Sequence, residues 1–146
     1  MSAKIVAVCI SENKGERKQP VERGELLPYH GLAGDAHAGP WHRQISLLAQ
    51  ESVEKMLAAG LDVGPGAFAE NITTSGIDLM SLKLGTRLRI GSALLEITQI
   101  GKECHSHCEI HRLTGDCVMP REGVFAVVIE GGMLKAGDGI TVIEAE

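Results

Sequence analysis

Aromatic side chains are nearly absent from this chain: Trp41, Tyr29, Phe68 and Phe125 are the four present in 146 residues. Base stacking on aromatic platforms is thereby excluded as a way of holding single-stranded nucleic acid. No run of Lys or Arg occurs, and the formal charge is −5, the wrong sign for neutralising a phosphate backbone. No apolar stretch is long enough to span a bilayer. The opening segment Ala3–Ile10 is short, carries Lys4 and turns polar at Ser11-Glu12-Asn13. It is therefore expected to be a first strand rather than a secretion signal, which makes the protein a cytoplasmic one. Internal repeats, low-complexity tracts and linkers are missing too. Gly31-x-x-Gly34 and Gly64-x-Gly66 lie in no strand–Gly-rich turn–helix unit, so neither is a nucleotide fingerprint. Nothing supports a Ser-His-Asp hydrolase.

The length predicts one domain over residues 1–146. Hydrophobic residues make up 44% of the chain, enough for an aliphatic core that folds without metal or disulfide. Lys4–Ile10 is β-branched and apolar, a buried strand. Residues 11–25 read as a polar loop or exposed hairpin in which Lys14, Arg17 and Lys18 are solvated. Residues 28–40 hold three Gly and two Pro, a loop whose backbone can come close to a ligand. Gln44–Leu48 alternates as a strand. Residues 50–59 place Val53, Met56 and Leu57 on one face and stop at Gly60, an amphipathic helix. Ala67–Thr74 is a strand candidate. Residues 86–90 and 93–100 flank Gly91-Ser92, a hairpin, and further strands are expected at 123–130 and 139–144. The fold class is therefore mainly β, a barrel-like domain with one main helix and short helical turns.

What the chain does have is a cluster. Cys104-His105-Ser106-His107-Cys108, His111 and Cys117 gather three of four cysteines and three of six histidines within fourteen positions. Thiolate and imidazole handle soft metals and sulfur at neutral pH, and a core has no packing reason to collect them. In a reducing compartment, reactive or metal-bound thiols are expected rather than a disulfide framework.

The ordered set of segments resembles the MOSC family, the molybdenum cofactor sulfurase C-terminal domain, as a free-standing bacterial member. It is carried by Ser11, Lys14 and Gly15 after the first strand, by Gly31-Leu32-Ala33-Gly34-Asp35-Ala36-His37-Ala38-Gly39 and by His42-Arg43-Gln44-Ile45-Ser46-Leu47-Leu48. Gly66-Ala67-Phe68-Ala69-Glu70-Asn71-Ile72, Leu84–Gly91, and Arg121-Glu122-Gly123-Val124-Phe125-Ala126 through Gly137-Asp138 complete it. The family's hallmark cysteine falls at Cys104, preceded here by Glu103 where many members have Pro. The resemblance implies a β-barrel like that of the pyruvate kinase barrel domain. It also implies binding of molybdenum cofactor (molybdopterin) or a related sulfur-bearing ligand, and a cysteine that carries sulfur or ligates molybdenum. An enzyme of this kind would catalyse sulfur transfer or a molybdenum-cofactor-dependent reaction. Its partner would be a PLP-dependent cysteine desulfurase or a cofactor-biosynthesis protein.

Residue by residue, Cys104 is the expected reactive or ligating thiol, because Lys102, His105 and His107 supply positive charge that favours a thiolate. Cys9, inside an apolar strand, is expected to be a buried, inert core residue. Cys108, His111 and Cys117 have three readings: a zinc site, which makes a zinc-binding interaction module the alternative function; thiols that resolve a persulfide on Cys104; or loop residues with no common role. His37, His42 and Arg43 follow the Gly-rich loop and can donate to a phosphate-bearing pterin, with Asp35 orienting an imidazole or pairing with Arg43. The competing reading is a structural turn capped by Asp35. Lys14 belongs to the family's first block. Arg121 can hold a phosphate in bidentate fashion or be a solvated charge. Asn71 can bond a pterin edge or face solvent from a strand. A third class of function is a small scaffold acting through protein contacts. The Gly31–Arg43 loop and the Cys104 loop are expected to meet and form one pocket.

Overall fold

The structure is a computed structural model that describes residues 3–13, 16–58, 60, 63–101 and 123–144. The first strand, β1 (Lys4–Ile10), is followed by β2 (Gln19–Val21), β3 (Gly24–Leu27), β4 (Gly31–Leu32) and β5 (Ile45–Ala49). Helix α1 (Gln50–Ala58) leads to β6 (Ile72–Ser75) and a turn of 3₁₀ helix at Leu79–Ser81. Five strands complete the described chain: β7 (Arg87–Ile90), β8 (Ala93–Ile100), β9 (Val124–Glu130), β10 (Gly132–Leu134) and β11 (Thr141–Ile143).

Eight strands form one sheet in the order β11-β7-β8-β9-β5-β6-β1-β2, and β10-β3-β4 make a second, small sheet. The large sheet curls. The N-terminal end of β1 meets the segment just ahead of β11, where Ile5 N–H donates to the Asp138 carbonyl at 2.8 Å and Ile140 N–H to the Ala3 carbonyl at 2.9 Å. This contact joins the two ends of the sheet and gives the mainly β, barrel-like architecture that the alternating pattern predicts. One pair, β5 with β6, is parallel, and α1 supplies the crossover that a parallel pair needs.

The period-2 pattern explains the packing. Leu88 and Ile90 of β7, Leu95 and Ile97 of β8, and Val124, Ala126 and Val128 of β9 all point into one core with Ile45, Leu47, Ile72, Ile5 and Val8. Residues of opposite parity, Leu48 and Phe125, pack outside the sheet with Val53 and Met56 of α1 and with Val63, Ala67 and Phe68. The described residues thus form an aliphatic barrel core and a small outer core under α1, with each fully buried Leu or Ile contributing about 1.5–3 kcal/mol.

Three expectations need correction. The strand assigned to Ala67–Thr74 begins only at Ile72; residues 65–69 are turns, and Ala69 has a φ of 64°. Glu70 and Asn71 account for this, because their side chains capture local backbone groups that a strand would use: Glu70 accepts from Phe68 N–H, and Asn71 accepts from Ser46 N–H. The strand expected over 139–144 is confined to Thr141–Ile143. Lys18, read as solvated, is 1% exposed.

Gly66 brings Lys18 in. Lys18 N–H donates to the Gly66 carbonyl at 2.8 Å. A Cβ on Gly66 would lie 2.2 Å from the Lys18 carbonyl oxygen, and the φ of +84° is itself unfavourable for other residues. Gly66→Ala is therefore expected to lower unfolding stability by about 2–4 kcal/mol. Gly64→Ala, with open space around it, should change it by less than about 1 kcal/mol. Urea denaturation of both variants measures the contrast, and equal effects would contradict this account of the approach.

Candidate functional site

The Gly-rich loop between β4 and β5 is anchored from beneath by a buried ion pair. Lys18 Nζ lies 2.7 Å from Asp35 Oδ1, with both side chains wholly out of solvent. The ammonium also donates to Ser11 Oγ at 3.0 Å and meets His37 Nδ1 at 2.9 Å. Asp35 accepts two backbone donors besides, Ser11 N–H on Oδ1 at 3.1 Å and His37 N–H on Oδ2 at 3.0 Å. Removing two charges from water costs several kcal/mol each, and only such saturation repays it. Burial works against the Asp35 carboxylate, but the Lys18 hydrogen bond and charge outweigh it. With help from the Asn71 amide and the His37 N–H, they hold Asp35 below the usual carboxylate range. Burial lowers Lys18 from the ordinary lysine value, against the pull of Asp35. Asp35 thus pairs with Lys18 rather than Arg43, and it also fills the capping role open to it in the sequence.

Asn71 is fully buried, not a solvent-facing strand residue. Its Oδ1 accepts Ser46 N–H at 2.9 Å and its Nδ2 donates to the Cys9 carbonyl at 3.1 Å. Both ends of the amide are spent in tying β1 to β5. Behind it, burial raises the Glu70 carboxyl above its ordinary value, against hydrogen bonds from Thr73 and from local backbone N–H groups. Burial, followed by the Glu70 charge, pushes the Cys9 thiol up to about 12. Cys9 is a free, buried cysteine, as its apolar strand predicts.

The outer part of the loop carries the cationic and aromatic groups. Trp41 Nε1–H donates to the His37 carbonyl at 2.7 Å, and the two rings lie nearly parallel with centroids 6.3 Å apart. The Arg43 guanidinium lies 5.3 Å over Phe125 and 6.0 Å over Trp41. Arg43 Nε–H donates to Gln99 Oε1 at 3.0 Å, and His42 Nε2 lies 2.8 Å from the same oxygen. Gln99 Nε2 in turn donates to the Gly101 carbonyl at 2.7 Å, which fixes the direction of the amide. Thr98 Oγ1 donates to the His42 carbonyl. The loop is therefore fastened to the last residues of β8, where the segment carrying Cys104 departs.

Of the residues singled out from sequence, Asp35, His37, His42, Arg43 and Asn71 fall in one connected region. Lys14, Cys104, Cys108, His111, Cys117 and Arg121 lie outside the described residues. Among the described residues no group of three or more His, Cys, Asp or Glu is placed to hold a metal ion, and no helix is long and apolar enough to cross a membrane. Lys18, Trp41 and Gln99 entered the region without a sequence signal of their own, while Ser11 stood in the family's first block. Lys18 sits in a charged run, and Gln99 is a single polar residue at a strand end.

Lys18→Met is expected to cost about 3–5 kcal/mol of unfolding stability, because it strands a buried carboxylate. Asp35→Asn should cost a similar amount and remove part of the acid sensitivity. The sign follows from the lowered Asp35 value: its stabilisation is complete above the unfolded carboxylate range near about pH 4 and is lost as the pH falls through the folded value. Denaturant midpoints followed from pH 7 to pH 3 check both variants, and a Lys18→Met midpoint equal to that of the unsubstituted protein would refute the pair's role.

Comparison with known proteins bears on the fold. The YuaD protein from Bacillus subtilis superposes with a TM-score of 0.82 at 23% identity, over 100% of this chain and 98% of that one. YiiM from Geobacillus stearothermophilus gives a TM-score of 0.73 at 21% identity, over 97% of this chain and 75% of that one. YiiM from Escherichia coli gives 0.71 at 22% identity, over 100% and 71%. At these identities the likeness is one of fold. No protein of curated function matches the chain. The family model of the MOSC domain matches residues 34–141, a span that opens in the Gly-rich loop and closes at the start of β11, and the chain belongs to the MOSC domain family.

Proposed function

We propose that this MOSC protein binds molybdenum cofactor, or a related sulfur-bearing ligand, between the Gly31–Arg43 loop and the segment that follows β8, and that Cys104 is the thiol that carries sulfur or ligates molybdenum. The observation that carries the reading is the double hydrogen bond of His42 and Arg43 to Gln99, which fastens the donor-rich loop to the strand that leads towards Cys104. A phosphate-bearing pterin asks for N–H donors and close backbone approach. Arg43, His42 and His37 are the residues that would hold it, and Gly34 and Gly39 have open space where a side chain would stand. Lys18, Asp35 and Asn71 hold the loop from within. When bound, the cofactor would supply redox-active molybdenum and sulfur ligands.

In the sulfur-carrier role, the Cys104 thiolate attacks the outer sulfur of a donor persulfide. A new S–S bond forms, the donor's S–S bond breaks, and the donor leaves as a thiolate, with no net oxidation. A PLP-dependent cysteine desulfurase is the donor class that presents such a persulfide, and a cofactor-biosynthesis protein is the other fitting partner. A reducing cytoplasm keeps the thiol available for this step.

Competitive alkylation near pH 7, with sites assigned by mass spectrometry, is expected to label Cys104 first and Cys9 last, the order that follows from thiolate character and burial. Arg43→Ala is expected to weaken cofactor binding by about tenfold, the loss of one charge-assisted hydrogen bond of about 1.5 kcal/mol, with the fold retained. Should Cys104→Ser bind cofactor and accept sulfur like the unsubstituted protein while Cys117→Ser does neither, the thiol assignment passes to Cys117. Stoichiometric zinc that survives Cys104→Ser would favour a zinc module over this reading.

A further inference from the structure

Lys18 has three donors when charged and three acceptors around it: Ser11 Oγ at 3.0 Å, Asp35 Oδ1 at 2.7 Å and His37 Nδ1 at 2.9 Å. The identity of each proton can be worked out. Ser11 Oγ gives its own proton to the Asn13 carbonyl at 3.0 Å, so towards Lys18 it accepts. Asp35 is an acceptor throughout. Two lysine protons are thus assigned, and the remaining contact, Nζ to Nδ1, holds one proton between two nitrogens. It belongs to an ammonium facing a bare Nδ1, or to Nδ1–H facing a neutral amine. An alkyl ammonium holds its proton about 10⁴-fold more tightly than an imidazolium in water. Burial narrows that difference on the Lys18 side, and the Asp35 carboxylate works to restore it, since its oxygen lies 2.7 Å from Nζ and comes no nearer than 4.0 Å to Nδ1.

We infer that Lys18 is the positioning residue of this site: its ammonium fixes His37 as the neutral tautomer with the proton on Nε2. His37 N–H is held by Asp35 and its carbonyl by Trp41 Nε1–H, so backbone and ring are set together. Two roles are then closed to His37. Nδ1 is not available as a base or as a metal ligand, because it already accepts from Lys18. Nε2 is not a base either, because it carries the ring proton. Whatever faces Nε2, from the protein or from a ligand, meets a donor. Nε2 in this tautomer offers a hydrogen bond to an acceptor, such as a phosphate or carbonyl oxygen, and nothing to a donor or a metal ion. A buried lysine thereby sets the chemistry of a loop it never leaves the interior to reach, and this holds whichever ligand the site takes.

Long-range ¹H–¹⁵N correlation spectra of the full chain at pH 7.5 test this, with the His37 signals assigned by their loss in His37→Asn. Expected for the unsubstituted protein is a bare Nδ1 and a protonated Nε2 in a single tautomer. The Lys18 Nζ resonance should be split by three protons and scalar-coupled to His37 Nδ1. A protonated Nδ1, an imidazolium or a mixture of tautomers would overturn the inference. In Lys18→Met the His37 pattern should relax to a tautomer mixture while the signals of His30, far from Lys18 in sequence and bonded through its backbone to Leu27 and Gly39, stay in place. A folded Lys18→Met that keeps the single Nε2–H tautomer would remove the lysine as the cause. If that variant does not fold, the Nζ–Nδ1 coupling in the unsubstituted protein decides the same point.

Discussion

A lysine and an aspartate buried together, with no access to water, are the constraint on which the rest of the site depends. The Lys18–Asp35 pair ties the residues after β1, through Ser11, and the approach to β2, through Lys18, to the Gly-rich loop through Asp35 and His37. Burial of the two charges would be unfavourable if either group lacked partners. Each has its full set, so the loop has one low-energy position. Isosteric apolar groups would bury at lower cost, but they would not dictate where Ser11 N–H and His37 N–H must point.

The barrel supplies what the pair needs. β1 and β6 pair antiparallel, with a register shift between Ile5 and Ala7, and β5 runs parallel beside β6; Asn71, at the entry to β6, links the Cys9 carbonyl to Ser46 N–H. That bridge fixes the floor on which the ion pair rests. Gly66 lets the backbone of Lys18 approach within a distance that no side chain would allow. On the outer side, β8 and β9 carry Thr98, Gln99 and Phe125, which receive His42 and Arg43. The loop is thus held at both ends, by charge inside and by hydrogen bonds and ring contacts outside. Between these anchors Gly34 and Gly39 leave open space where a side chain would stand.

The repetitive parts of the fold were legible in the sequence. The β7–β8 hairpin, β9, β1 and α1 announce themselves by period and by turn residues, because each buries one face against a common core. The Asp35–Arg43 region was legible as chemistry, since Gly, His and Arg accumulate there beyond what a turn requires. The partner of Asp35 was not. A lysine between charged neighbours carries no periodic signal, and only the approach of Gly66, forty-eight positions later in the chain, places it inside. The late start of β6 was hidden for a related reason, as Glu70 and Asn71 spend their side chains on backbone groups in a way that hydrophobic pattern does not record. The Cys104 cluster was the loudest feature of the sequence, and it lies beyond the described residues.

Amide hydrogen exchange at Ser11 and His37 tests the central claim most directly, because both N–H groups end on the Asp35 carboxylate. If the buried pair holds the loop as part of the folded core, both amides should open with free energies within about 1 kcal/mol of those of β1 and β5. In Asp35→Asn the same two amides should lose protection before the strands do. Rapid exchange of Ser11 and His37 in the unsubstituted protein, while the strands remain protected, would show that the loop moves independently of the core and would contradict the account.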